Sequence, residues 1–269
     1  MLSKLFKYEM KATGRILLPA LGVTLIMGII NGLMYMFMPN IESPNAVYAA
    51  VSIVFTVLLV LVSVATVALS YIYAIYRFQR NLLGKEGYLM NTLPVSTAQN
   101  ILAKMFAAMI YEALAILVVI FTYGIFLTLI ISNDVSFTEF WSEMWRAVTS
   151  VFAQIDGEAW IMFAELAVLI IVSLAYSNLM FYASMSIGYS SNSHKALKSV
   201  GIYVGYYIVC QIIGTILMST FAVSVGTGEL NSMGSFHALM IIGIIFEAAI
   251  AAAYWFITSF FMKKRLNLQ

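Results

Sequence analysis

Three carboxylates lie inside long apolar blocks: Glu112, Glu165 and Glu247. A charge near the centre of a hydrocarbon layer costs roughly 2.5–3.5 kcal/mol on insertion scales, so it must face protein or water. Glu247 is the deepest, about 24 Å along a helix from Lys263. Glu112 is about 12 Å from Lys104 by the same rise, and Glu165 lies near the start of its block. Two readings stand for each acid. It lines a polar pathway that attracts a cationic or amphipathic substrate, or it is a hydrogen-bonded group that holds helices together. Other chemistry is sparse. His194 sits in a Ser-rich turn and His237 near the opposite surface, neither with metal-ligating neighbours in sequence, so no metal site is expected. Ser235 beside His237 carries no triad geometry, and catalytic residues are not expected in this chain. The single cysteine, Cys210, permits no internal disulfide and reads as a small buried hydrophobe.

The elements that must position these groups follow from composition. The 269 residues are 62% hydrophobic and only 10% charged, which selects lipid as the solvent. A net charge of +2 argues against nucleic acid as a partner. Six blocks exceed the roughly 20 residues needed to cross a bilayer: Ile16–Met38, Val47–Tyr76, Ile101–Ile131, Ile161–Ile187, Val200–Val225 and Phe236–Met262. Continuous apolar runs in lipid mean helices, so the fold class is an all-α membrane protein, one transmembrane domain over residues 1–269. The second and third blocks are overlong and are expected to tilt or project. The first block is too long for a removed signal peptide and is expected to remain as an anchor.

Basic residues set the orientation. Thirteen of the 14 lysines and arginines flank one set of ends, and only Arg146 falls on the other side. The positive-inside rule then predicts both termini in the cytosol. Residues 1–15 alternate an apolar face (Leu2, Leu5, Phe6, Met10) with a basic one (Lys4, Lys7, Lys11, Arg15). That pattern fits an interfacial amphipathic helix or a positive flank orienting the first span. Residues 136–153 carry a stripe of Trp141, Met144, Trp145 and Val148 at helical spacing. A second interfacial helix is expected there, on the external side, anchored by its tryptophans. Gly28/Gly32 and Gly201/Gly205 are spaced for close helix approach, and Asn31, Asn178 and Gln211 for hydrogen bonds between helices.

The connection between the second and third spans is short and of mixed polarity. Gly84 and Gly87 weaken helix on either side of Lys85 and Glu86. Tyr88, Leu89 and Met90 can make a turn or two before Thr92, Leu93 and Pro94, where the proline pushes Leu93 out of helical geometry. Ser96 with Gln99 forms a capping-box pattern for the third span. The residues Glu86-Gly87-Tyr88-Leu89 and Thr92-Leu93-Pro94-Val95-Ser96 resemble the loop motif of the six-span permeases of bacterial ABC exporters. The closing Lys263-Lys264-Arg265-Leu266-Asn267-Leu268 is similar to that family's tail. The resemblance implies that 84–96 is a coupling helix docked on a separate ABC ATPase subunit. It further implies two permease subunits, as a homodimer or with a sister chain, in a bacterial plasma membrane. ATP and Mg would be cofactors of the partner only, since Gly84-Lys85 lacks the following Ser or Thr and the earlier glycine of a phosphate-cradling loop. The expected function is ATP-driven export of an amphipathic substrate (peptide, drug or lipid-like). The alternative is an ion-gradient-driven secondary transporter working through Glu247 and Glu112. An intramembrane enzyme would need convergent catalytic groups that the spans lack.

Overall fold

Apolar runs of this length have one way to satisfy their backbone in lipid, and the chain adopts it: the described residues are helical almost throughout. The structure is a computed structural model that describes residues 2–37, 46–84, 87, 95–131, 137–154, 157–191, 193–226 and 232–264. The helices are α1 (Leu2–Met36), α2 (Ala46–Phe78), α3 (Thr97–Ile131), α4 (Phe137–Gln154), α5 (Gly157–Tyr189), α6 (Lys195–Gly226) and α7 (Ser232–Lys264). Six of them, all but α4, are long and apolar enough to cross a membrane, the mark of a multi-pass membrane protein.

Two boundaries depart from the sequence reading. Residues 2–15 do not stop before the first span; they continue into it as one 35-residue helix that runs through Pro19. The expected division of faces is nevertheless present: Leu2, Leu5, Phe6 and Met10 are half-buried while Lys4, Lys7, Lys11 and Arg15 are exposed. The second span does not end at Tyr76. It runs on through Phe78 into a π-helical turn, Gln79–Leu83, which ends at Gly84. Leu82 and Leu83 are buried there, so apolar packing accounts for the extension. The helix expected over 136–153 runs Phe137–Gln154, with Trp145 exposed and Trp141 half-buried.

The chain divides into two compact units. One comprises Tyr8–Tyr73 and Ile110–Asp156. Its helices meet along a polar seam. Thr24 and Thr66 share a hydroxyl hydrogen bond of 2.7 Å, Asn31 Nδ2 donates to Thr56 Oγ1 at 3.3 Å, and the Tyr48 hydroxyl donates to the Met34 carbonyl at 2.5 Å. Close approach supports the seam. A β-carbon at Gly28 would overlap Thr122 Cγ2, and one at Gly32 would lie 2.6 Å from Leu129 Cδ1. The Gly28/Gly32 pair thus packs α1 on α3, as small residues do between helices in lipid.

The other unit comprises Met1–Lys7, Ala74–Met109 and Gly157–Gln269. Its central helix is α5, which packs extensively on α7 and on α6, whereas α6 and α7 touch each other little. Its inner face carries small and polar residues, among them Ala183, Ser184, Ser186 and Gly188, all buried. At Gly188 a β-carbon would overlap Ser199 Oγ and lie 2.6 Å from the Ser199 amide nitrogen. Gly201 and Gly205 behave differently: nothing lies within 4 Å of a β-carbon at either.

Gly188→Ala should therefore separate the ends of α5 and α6, and Gly28→Ala should separate α1 from α3. Each should cost about 1–3 kcal/mol of stability, whereas Gly201→Ala should be neutral or slightly stabilising. Thermal unfolding of the three variants in detergent checks this ordering.

Candidate functional site

Helix α5 packs on both α6 and α7 while α6 and α7 touch each other little, and the space left between the three is a cavity of about 480 Å3. That lies within the range of small-molecule sites. Leu, Ile, Met and Phe make up about half of its wall, and seven side chains with polar atoms converge on it. Glu247 of α7 is the one residue among Asp, Glu, Lys, Arg and His in the lining. Its Oε2 accepts a hydrogen bond of 2.5 Å from Ser173 Oγ of α5. Ser173 and Tyr176 are three residues apart on α5, so the hydroxyl and the ring share one face.

Three tyrosines line the cavity: Tyr176, Tyr203 and Tyr207. Tyr203 is held by a parallel stack on Phe181 with ring centroids 4.4 Å apart. Tyr176 and Tyr206 both approach Tyr254, at 6.0 and 4.9 Å between centroids. Cys210 also lines the space, half-buried, with its sulfur 3.4 Å from the Tyr254 hydroxyl. It is thus a polar neighbour of a tyrosine cluster rather than the inert core thiol that its apolar surroundings suggested. Gln211, expected as an interhelical hydrogen bonder, lies on the cavity wall.

The three intramembrane acids occupy different surroundings. Glu247 is in the cavity. Glu165, on the same helix as Ser173, bonds His237 Nδ1 of α7 at 2.9 Å. That pairing joins residues 72 apart, and no local spacing announced it. The histidine assigned to a plain surface role is a partner of an acid. Glu112 is fully buried within the unit formed by Tyr8–Tyr73 and Ile110–Asp156. Among the described residues no cluster of three or more His, Cys, Asp or Glu is arranged to hold a metal.

The connection 84–96 lies partly outside the described residues: Lys85, Glu86, Tyr88, Leu89, Met90, Thr92, Leu93 and Pro94 are not among them. Its two ends are described. Gly84 N–H donates to the Gln79 carbonyl at 2.8 Å, and Gly87 N–H to the Gly84 carbonyl at 2.9 Å. A β-carbon at Gly84 would lie 2.9 Å from the Arg80 carbonyl oxygen, so the turn requires its absence. At the other end the capping box is formed reciprocally. Ser96 N–H donates to Gln99 Oε1 and Gln99 N–H to Ser96 Oγ, both at 3.2 Å.

The π turn also ties the end of α2 to the cavity helix. Phe78 stacks on Tyr182 with centroids 3.9 Å apart and planes 6° from parallel, and Gln79 Nε2 donates to the Tyr189 hydroxyl. Both rings are fully buried. An extra residue in a helical turn re-aims the side chains beyond it, and here it brings Phe78 and Gln79 to α5. Aromatic residues in a lipid-soluble helix give no sequence signal of which ring they will meet, so this junction was not readable in advance.

No family model, curated protein or solved structure matches this chain.

A double-mutant cycle on Glu165→Ala and His237→Ala should return a coupling of about 1 kcal/mol. The same cycle on Glu165 and Ser173, which share a helix without a bond between them, should return none. Unfolding free energies of the three single and two double variants decide it.

Proposed function

We propose that the chain is the transmembrane subunit of an ATP-driven exporter, with hydrolysis supplied by a separate ATPase. The carrying observation is the junction of Phe78 and Gln79 with Tyr182 and Tyr189. It links the helix end next to the 84–96 connection to α5, whose Tyr176 and Ser177 line the cavity and whose Ser173 bonds Glu247. From Tyr182 to Ser173 is about 13 Å along a rigid helix. A push on the connection therefore has a stiff path to the cavity. The two firm ends, a glycine-closed π turn and a capping box, keep the load from being lost in fraying.

In this reading the 84–96 segment rests on the ATPase, the termini lie in the cytosol of a bacterial cell, and a second permease completes the transporter. The basic flanks support the orientation, and the loop motif supports the class of motor. ATP-driven closure of the motor would tilt α2 and α3 together and rotate α5 against α6 and α7. The cavity would then exchange access between the two sides. The amphipathic substrate rides in the cavity, with Glu247 as its polar contact.

The rival reading, an ion-gradient carrier, draws support from a second titratable pair, Glu165 and His237, on the same helices as Ser173 and Glu247. The energy source separates the two. Transport in vesicles should require ATP and the motor, and an ion gradient alone should give none.

Leu89→Asp and Leu93→Asp should reduce co-purification of the ATPase at least about tenfold, as a buried charge at an interface does, with the permease still folded. Phe78→Ala should leave ATPase docking intact and lower substrate-stimulated hydrolysis. Full ATPase recovery with Leu89→Asp would overturn the docking role.

A further inference from the structure

We infer that the cavity between α5, α6 and α7 binds a hydrophobic monocation, its charge against Glu247 and its apolar body against the tyrosine and aliphatic wall. The inference rests on the transport reading for its purpose and on the cavity alone for its chemistry. The wall supplies one carboxylate and no Lys, Arg or His among its lining residues. The only polar contact to that carboxylate among the described hydrogen bonds is the Ser173 hydroxyl, which leaves its second oxygen available. A neutral apolar guest would strip water from the acid and return nothing. An anion would be repelled by it. A cation with an apolar body supplies both the missing counter-charge and the surface that the wall prefers.

The remaining polar groups agree with that choice. Hydroxyls, a thiol and an amide, from Tyr176, Ser177, Tyr203, Tyr207, Cys210 and Gln211, orient without adding charge. Tyrosine rings present negative π faces to a cation, and Tyr203 is held in place by its stack on Phe181. The volume of about 480 Å3 admits one drug-sized guest and excludes a folded peptide. Gly214 and Gly243 line the wall where larger side chains would fill it. Gly214 lines the cavity and nothing lies within 4 Å of a β-carbon there, so no helix contact requires the glycine.

The same chemistry could come from an exported small molecule or from the ammonium headgroup of a membrane lipid. Tetraphenylphosphonium and tetraphenylborate, matched in shape and opposite in charge, test the site directly. Equilibrium dialysis uses the purified full chain in a non-ionic detergent. Saturable phosphonium binding is expected, weakened about tenfold or more by Glu247→Gln and abolished by Gly214→Phe, with no saturable borate binding. Glu247→Gln preserves shape and the Ser173 hydrogen bond. Gly214→Phe fills the cavity without touching the acid, so the test survives if either variant fails to fold. Displacement of the phosphonium by added sphingosine, a lipid whose one charge is its ammonium, would point to a membrane amphiphile as the guest; no displacement would point to a soluble cation. Equal binding of the two probes, or phosphonium affinity unchanged by Glu247→Gln, would overturn the inference. No ATPase enters this measurement. Failure of motor docking would sink the exporter reading and leave the site, whereas charge-blind binding would sink the site and leave the exporter reading.

Discussion

Every polar group carried into hydrocarbon must find its partner inside the protein, because the solvent offers none. That constraint makes the backbone helical, and it decides where the side chains go. Serine and threonine hydroxyls turn back on their own helices, as at Ser63, Thr122 and Thr258, each bonded to the carbonyl four residues earlier. Where two such groups can meet across a helix pair they do, as at Thr24 and Thr66. Apolar side chains are free to face lipid. The most apolar stretch of α6 is 0% buried, and a soluble protein with that surface would aggregate.

Glu247 is the instructive case. A carboxylate is the most demanding group to carry inward, and one serine hydroxyl meets only part of its capacity. Glu165 resolves the same demand differently, through a histidine on the facing helix. The two acids sit on the same helix pair, and Glu247 lines the cavity described above, of which Glu165 is not a lining residue. A group kept for helix adhesion has no need of space beside it. The volume next to Glu247 is what sets its surroundings apart from those of Glu165.

The end of α2 follows the same economy of partners. A π turn gives up regular helical bonding, and its compensation is the set of contacts that Phe78, Gln79, Leu82 and Leu83 gain in the unit containing α5. Glycine at 84 closes the turn because the Arg80 carbonyl stands where a side chain would begin. The result is a helix end fixed to α5 through Tyr182 and Tyr189.

Much of this was legible in the residues. Runs longer than a bilayer is thick determine six helices, because lipid permits no other backbone. The Ser96–Gln99 box also followed from spacing, since it depends on the period of a single helix. What the sequence left open was every relation between helices. It could not distinguish Gly28/Gly32, which packs on α3, from Gly201/Gly205, which has nothing against it. It ended the second span at Tyr76, seven residues early, because the reason to continue lies in Tyr182 and Tyr189, more than a hundred positions away. It listed three buried acids without telling them apart. In a chain that is apolar on all sides, periodicity no longer marks an inward face. Which residue meets which was decided only when the helices packed.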